Sequence, residues 1–294
     1  MISSRGKPEW LTIRPPAGDF SKIREIVKSH DLNTVCEDAH CPNTSECWSG
    51  GTATFMVLGE YCTRGCRFCA VKSGFPKMPP DPKEPENLAS AVSQMNLDYI
   101  VITSVDRDDL ADQGAGHFAE CIRKVKEMSP EMIVEVPIPD FRGDDACIKT
   151  VVGAGPEVIA HNIETVERLQ QAVRDRRANY KQSLLVLETV KKMNPKILTK
   201  SSIMLGLGET EEEVVRTMKD LRAIGADIIT FGQYLRSSDW HLEVKEYVKP
   251  EAFESFKKIA EKMGFLYCAS GPFVRSSYRA GELLAKSIIA SRKQ

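Results

Sequence analysis

Thr52-Ala-Thr-Phe-Met-Val-Leu-Gly-Glu-Tyr-Cys62-Thr-Arg-Gly-Cys66-Arg-Phe-Cys69 joins a β-branched, apolar run to three closely spaced cysteines. Residues 52–58 read as a buried strand, and a loop directly after a strand lets Cys62, Cys66 and Cys69 converge on one centre. Gly65 is expected to permit the tight turn that this requires. The number of thiolates is informative. A structural zinc site or an ordinary iron–sulfur site closes its shell with four protein ligands, whereas a site that performs chemistry keeps a position open. Zinc sites usually pair one C-x2-C with a second some distance on, and the sequence has no such second pair.

A second triplet lies just upstream. Cys36, Cys41 and Cys47 follow C-x4-C-x5-C spacing among the turn formers Pro42, Asn43 and Ser45, too widely spaced for a zinc knuckle. His40 is adjacent to Cys41 and would strain a shared shell. Six of the nine cysteines therefore form two unequal sites, with a structural cluster capping the N-terminus as the plainer alternative for the first. The remaining Cys121, Cys147 and Cys268 are scattered, and Cys121 and Cys147 sit in helix-like stretches where a small buried side chain is expected.

Working outward, six strand-then-helix units run from Thr52 to about Gly264. The expected strands are 52–58, 99–104, 132–138, 157–163, 200–206 and 227–233. Amphipathic helices are expected between them, over 116–128 and over 211–222 with Thr210 as the cap. Pro79 to Pro85 reads as a stiff connector before the first helix. Such alternation implies a parallel sheet with covering helices. Periodicity supports a doubly wound sheet and a barrel equally.

Composition narrows the function class. At 294 residues and 42% hydrophobic, the chain can bury one substantial core. Forty basic against 41 acidic residues leave a formal charge of −1, which argues against nucleic-acid binding as the main activity. No stretch of eighteen apolar residues occurs, so no membrane span is expected. The N-terminus has no apolar h-region, and nine cysteines without a secretion signal suit a reducing, cytoplasmic setting.

C-x3-C-x-aromatic-C, with Phe68 in the aromatic slot, resembles the radical S-adenosylmethionine enzymes. The resemblance implies that Cys62, Cys66 and Cys69 hold three irons of a [4Fe-4S] cluster whose fourth iron takes the amino and carboxylate groups of S-adenosyl-L-methionine. Both triplets, together with Arg275-Ser-Ser-Tyr-Arg-Ala-Gly-Glu282, resemble the lipoyl synthase family. The match includes Asp31 to Asn43, Thr103 to Leu110, Ile138 to Asp144, His161 to Thr165, Leu205 to Thr210 and Gly232 to Leu235. Two loop positions depart from the family pattern: Gln113 stands where a second glycine is common, and Ser237-Ser-Asp239 replaces a proline-containing turn.

This resemblance implies an α/β fold, a partial (β/α)6 TIM-like barrel of residues 51–270. An N-terminal arm (1–50) and a C-terminal arm (271–294) are its extensions and carry the auxiliary cluster. It implies two [4Fe-4S] clusters, the auxiliary one on Cys36, Cys41, Cys47 and Ser277. From spacing alone Ser276 is almost as well placed. An alkoxide is a hard ligand on a cluster that prefers soft thiolate, so its bond should break easily. The implied activity is that of a radical sulfurtransferase in lipoate biosynthesis. It inserts sulfur from the auxiliary cluster at carbons 6 and 8 of a protein-bound octanoyl-lysine. Implied partners are an octanoylated lipoyl-carrier protein or domain, an external electron donor and an iron–sulfur cluster carrier, with no nucleic acid and no membrane. Another radical enzyme that uses its second cluster differently, and a non-catalytic metal scaffold, are the rival classes.

Functional residues of such barrels gather at the C-terminal ends of the strands. That rule selects Thr103, Ser104, Asp106 and Arg107, then Asn162 and Glu164, Gly206 and Gly208, and Gln233, Tyr234 and Arg236. Of these, Thr103, Ser104, Asn162, Glu164 and Arg236 are the candidate S-adenosylmethionine contacts. His241 is expected at the surface, with orientation of the substrate as its alternative role, and Arg275 either at the cluster or at the surface.

Overall fold

The structure, a computed structural model, describes residues 7–12, 21–38, 41, 43–49, 54–95, 97 and 99–277, without the side chains of Ser45 and Ser49. His40, Pro42, residues 52–53 of the first expected strand and Tyr278 to Glu282 of the serine motif lie outside the described residues.

One sheet holds β1 (Asn33–Thr34), β2 (Thr54–Val57), β3 (Tyr99–Ser104), β4 (Ile133–Pro137), β5 (Val158–Ala160), β6 (Leu198–Leu205), β7 (Ile228–Gln233) and β8 (Tyr267–Ser270), in strict chain order. All neighbours from β2 onward pair in parallel, and β1 pairs antiparallel to β2. A doubly wound sheet reverses its order part-way across. Sequential order is the winding of a barrel, left open here between β1 and β8. The six expected strands are β2 to β7. Two more were not read: β1 has only two residues and no visible period, and β8 is a short, partly polar run after the last connecting helix.

Among the described residues, three α-helices lie ahead of β2: α1 (Ser21–Ser29), α2 (Val35–Asp38) and α3 (Thr44–Ser49). The crossovers use α4 (Glu84–Met95), α5 (Ala115–Met128), α6 (Asp145–Gly153), α7 (Gln170–Val173), α8 (Tyr180–Met193), α9 (Glu211–Ala223) and α10 (Pro250–Lys262). Thr210 caps α9 through a reciprocal pair with Glu213, as its sequence position suggests. Pro85 belongs to the first turn of α4 rather than to the connector, where its missing N–H has no helical partner to lose. Cys121 on α5 and Cys147 on α6 are buried. Gln113 adopts φ +53°, the region that favours glycine, and its amide donates to the Phe141 carbonyl at 3.0 Å. The departure from glycine is thus a strained backbone anchored by a side chain.

Helices α4 and α5 also set where the first cysteine loop leaves the sheet. Glu84 accepts the Leu58 N–H at 2.9 Å and lies 2.6 Å from His117 Nε2. Leu58 has φ +73°, and Gly59 follows at +91°, so the chain turns sharply out of β2 at this point.

Inside the sheet, Lys200 on β6 donates to both oxygens of Glu135 on β4 at 2.7 and 3.0 Å, and the Tyr99 hydroxyl on β3 donates to the same carboxylate at 2.5 Å. All three are buried and tie strands on both sides of β5. Lys200→Met should therefore cost about 3–5 kcal/mol, because it leaves a carboxylate buried without its cation. A urea midpoint unchanged from the parent chain would contradict this.

Candidate active site

The first strand-end loop is fastened from three sides. Cys62 N–H donates to Lys72 O and Gly74 N–H to Cys62 O, each at 2.9 Å, folding the loop back on itself. From the end of β3, Asp106 O accepts Thr63 N–H at 2.9 Å. From the segment around α7, Asp175 accepts Gly65 N–H and Val173 O accepts Arg67 N–H, both at 2.9 Å. From the segment after β7, His241 Nε2 donates to Cys69 O at 2.9 Å, and Ser238 bonds its Nδ1 at 2.8 Å. His241 is buried, not a surface residue, and it holds the cysteine loop. Gly65 has no left-handed φ and a Cβ there meets only Ser73 Oγ at 4.0 Å, so the turn does not require glycine. Its role is to present an N–H to Asp175.

Arg64 anchors the same loop below the cysteines. Its side chain is 3% exposed and pairs with Asp108 at 2.9 Å, Asp140 at 2.7 Å and Asp106 at 3.3 Å. A guanidinium suits this place because its rigid fork serves several carboxylates at once.

One cavity of about 620 Å³ is lined by both cysteine triplets, Cys36, Cys41, Cys47 and Cys62, Cys66, Cys69, and by Ser276 and Ser277. Thr103, Ser104, Asn162, Glu164 and Arg236 line it too. The fold therefore brings the expected cluster ligands and the five candidate S-adenosylmethionine contacts to one cavity, from both ends of the chain. Their local roles differ. Thr103 donates to Pro137 O at 2.9 Å, and Arg236 donates to the carbonyls of Ser238, Asp239 and His241. Ser104 Oγ and Asn162 Oδ1 are buried with no hydrogen-bond partner. Glu164 is held at φ +67°, and burial raises its carboxyl above the usual range against the opposing pull of Arg174 and Asn162.

Other strand-end candidates are structural. Arg107 is buried on Asp109 and the Leu58 and Met78 carbonyls, Gln233 bridges Leu205, Tyr234, Glu246 and Val248, and the Tyr234 hydroxyl donates to Leu242 O. Gly206 and Gly208 are not among the cavity's lining residues. Arg174 went unnoticed in the sequence. It is 8% exposed, lines the cavity and leaves Nε without a partner, while its Nη1 bonds Gln170 and Ser183. It lies in a helix–loop segment rather than at a strand end, so the strand-end rule could not find it.

The donor sets fit iron–sulfur clusters better than single ions. Tetrahedral zinc with bonds of about 2.3 Å draws its sulfurs to within about 4 Å of one another. Among the described residues, Glu84, His117 and Cys121 form the group whose ligand atoms all lie within 4.8 Å, and neither cysteine triplet does so. That Glu–His pair already serves Leu58. Burial pushes the Cys66 thiol up to about 12 and Cys69 to about 11, and burial with Asp106 raises Cys62 further. Such thiols stay protonated unless an electron-poor metal compensates them. Backbone N–H groups already point at the sulfurs of Cys62, from Arg64 at 3.5 Å, and Cys66, from Asp175 at 3.2 Å. Burial likewise raises Cys36, partly offset by the Thr54 N–H, and Arg275 faces Cys41.

Arg174 also reaches the buried His161 through a short chain of bonds. It donates to Ser183 Oγ at 2.7 Å, Ser183 lies 3.0 Å from His161 Nε2, and His161 Nδ1 donates to Ile138 O at 2.9 Å. Burial, reinforced by Arg174, lowers His161 to about 4. A histidine held neutral stabilises the fold above its unfolded pKa of about 6.5, and loses up to about 3 kcal/mol as pH falls through 4. Urea unfolding of the metal-free chain between pH 7 and 4 should show this slope, and His161→Asn should flatten it. Equal slopes in the two proteins would refute the assignment.

Comparison with known proteins agrees with this geometry. Residues 56–221 match the radical SAM superfamily. The chain is 56% identical over 298 residues to the lipoyl synthase of Halobacterium salinarum, covering 99% of this chain and 95% of that protein. It is 56% identical over 287 residues to the lipoyl synthase of an Anaeromyxobacter species, covering 97% of each. In fold it is similar to the FeFe-hydrogenase maturase HydG from Carboxydothermus hydrogenoformans, with TM-score 0.57 and 11% identity over 93% of this chain and 78% of that one. With two unequal cysteine triplets and a serine pair facing one barrel cavity, and more than half of its residues shared with these relatives, the chain belongs to the lipoyl synthase family of the radical S-adenosylmethionine superfamily.

Proposed function

We propose that this chain is a radical sulfurtransferase that inserts sulfur at carbons 6 and 8 of an octanoyl chain on a lipoyl-carrier protein or domain. The observation that carries this reading is the single cavity shared by the two triplets and Ser276–Ser277. An enzyme that only passed electrons from a second cluster would have no need to place both against one substrate space.

In this reading Cys62, Cys66 and Cys69 hold the cluster that binds S-adenosylmethionine, and Cys36, Cys41 and Cys47 hold the auxiliary cluster with Ser277. When bound, these groups supply one-electron cleavage of the sulfonium, hydrogen abstraction from unactivated carbon, and the sulfur that is inserted. The chain's own residues position the reactants. Ser104 and Asn162 present unpartnered oxygens to the ribose or ammonium, Glu164 offers a half-buried carboxyl to a donor, and Arg174 faces the methionyl carboxylate. Thr103 and Arg236 shape the wall from which these groups project. Val35, Met56, Met204 and Leu235 are apolar residues of the cavity lining, chemically suited to an octanoyl tail.

The chain divides in this proposal into an N-terminal arm (1–50), a barrel (51–270) and a C-terminal arm (271–294). It draws on an external electron donor and an iron–sulfur cluster carrier in a reducing compartment such as the cytoplasm. No helix among the described residues is long and apolar enough to cross a membrane.

Mass spectrometry tests the activity directly. An octanoylated carrier peptide, incubated anaerobically with the reconstituted chain, S-adenosylmethionine and a reductant, should gain two sulfurs, and no gain would defeat the proposal. Arg174→Met should weaken S-adenosylmethionine binding by roughly 10- to 100-fold, the value of one charge-assisted contact, with iron content unchanged at about eight per chain. Ser277→Cys should keep the iron yet slow sulfur insertion at least tenfold, because thiolate holds the cluster more firmly than alkoxide. Insertion at the parent rate would move the ligand away from Ser277.

A further inference from the structure

The ligands assigned to the auxiliary centre come from segments more than two hundred residues apart, and two residues with no ligand role join them. After β8 the chain turns back over the end of β7. Gly271 N–H donates to Phe231 O at 3.1 Å, Gln233 N–H to Pro272 O at 3.3 Å, and Val274 N–H to Gly271 O at 3.0 Å. This turn carries Ser276 and Ser277 to the cavity. It lies so close to β7 that a Cβ at Gly232 would stand 2.0 Å from Val274 O and 3.1 Å from Val274 C. Gly232 is therefore the slot into which the turn seats.

From the other arm, Asn43 lies between Cys41 and Cys47 and is 5% exposed. Its Nδ2 donates to Phe273 O at 2.6 Å, and its own carbonyl accepts the Cys47 N–H at 2.9 Å. One residue thus grips the first turn of the cysteine-bearing helix α3 and the serine-bearing segment together. The Phe273 carbonyl precedes Ser277 by only four positions. A weak hard ligand cannot draw its own chain segment to the cluster, so the segment has to be set in place by other bonds.

We infer that Asn43 and Gly232 are positioning residues for the serine ligand of the auxiliary centre. Asn43 latches the C-terminal segment to the cysteine arm, and Gly232 admits it against β7. The inference rests on the proposed assignment of Cys36, Cys41, Cys47 and Ser277 to one cluster. Without this latch, three thiolates would hold a cluster whose fourth iron has no protein ligand.

The test uses the full chain with Cys62, Cys66 and Cys69 replaced by alanine, so that only the auxiliary cluster contributes iron. Asn43→Asp keeps the shape and removes the donor; Gly232→Ala closes the slot. In the metal-free chain, hydrogen exchange of amides 271–277 should quicken about fivefold in Asn43→Asp, the factor expected from one lost hydrogen bond. After reconstitution and mild oxidation, the parent should keep about four irons. Both variants should fall to about three and show the paramagnetic resonance of a three-iron cluster. Adding Ser277→Cys to Asn43→Asp should restore the fourth iron, because a thiolate tolerates looser placement; general misfolding would not be rescued in this way. Four irons retained in both single variants would overturn the inference, even with faster exchange. A parent chain that assembles no cluster on the upstream triplet would instead overturn the cluster assignment, and unchanged exchange would then decide against the latch on its own.

Discussion

The burial of Arg64 constrains the rest of the site. A guanidinium this far from water needs several carboxylates, and Asp106, Asp108 and Asp140 are brought to it from the ends of two different strands. Because Arg64 lies between Cys62 and Cys66, satisfying its charge also fixes the loop that bears the cysteines. Side-chain bonds from Asp175 and His241 and backbone bonds from Val173 and Leu242 complete the ring of supports. The loop is thus held from the ends of strands on both sides of the barrel, and three desolvated thiols are presented without relying on their own flexibility.

Each functional layer leans on the one below it. The Lys200–Glu135–Tyr99 cluster ties the inner sheet, and the sheet sets the spacing of the strand ends. Those ends carry the partnerless oxygens of Ser104 and Asn162 and the raised carboxyl of Glu164. Buried polar groups left without partners are costly in an empty protein and useful in a loaded one. The opposing arms then close over this face. Asn43 joins them through a hydrogen bond, and Gly232 admits the returning chain by lacking a side chain.

Much of this is legible in the amino-acid sequence. The spacing of Cys62, Cys66 and Cys69, and the β-branched run ahead of them, pointed to a strand-end cluster loop because ligand geometry and strand periodicity are both local. The six inner strands were readable for the same reason. Short edge strands were not: β1 has two residues, and pairing rather than periodicity defines it. A glycine in a tight loop suggests a left-handed turn at Gly65, whereas Leu58 and Gly59 make the reversal. His241 was placed outside because a histidine in a polar loop gives no sign of the carbonyl that buries it.

The amino-acid sequence by itself determined the ligand types, their local spacings and the alternation that winds a barrel, since each depends on neighbours a few residues away. It left open which barrel-end polar groups face the cavity and which are already bonded. Tertiary structure alone decided that Thr103 serves Pro137 while Ser104 is free, that Arg174 enters the site from a connecting segment, and that Asn43 meets Phe273. These are contacts between residues tens to hundreds of positions apart. Hydrogen-bond partners at that range are set by where the strands end, which no local pattern encodes.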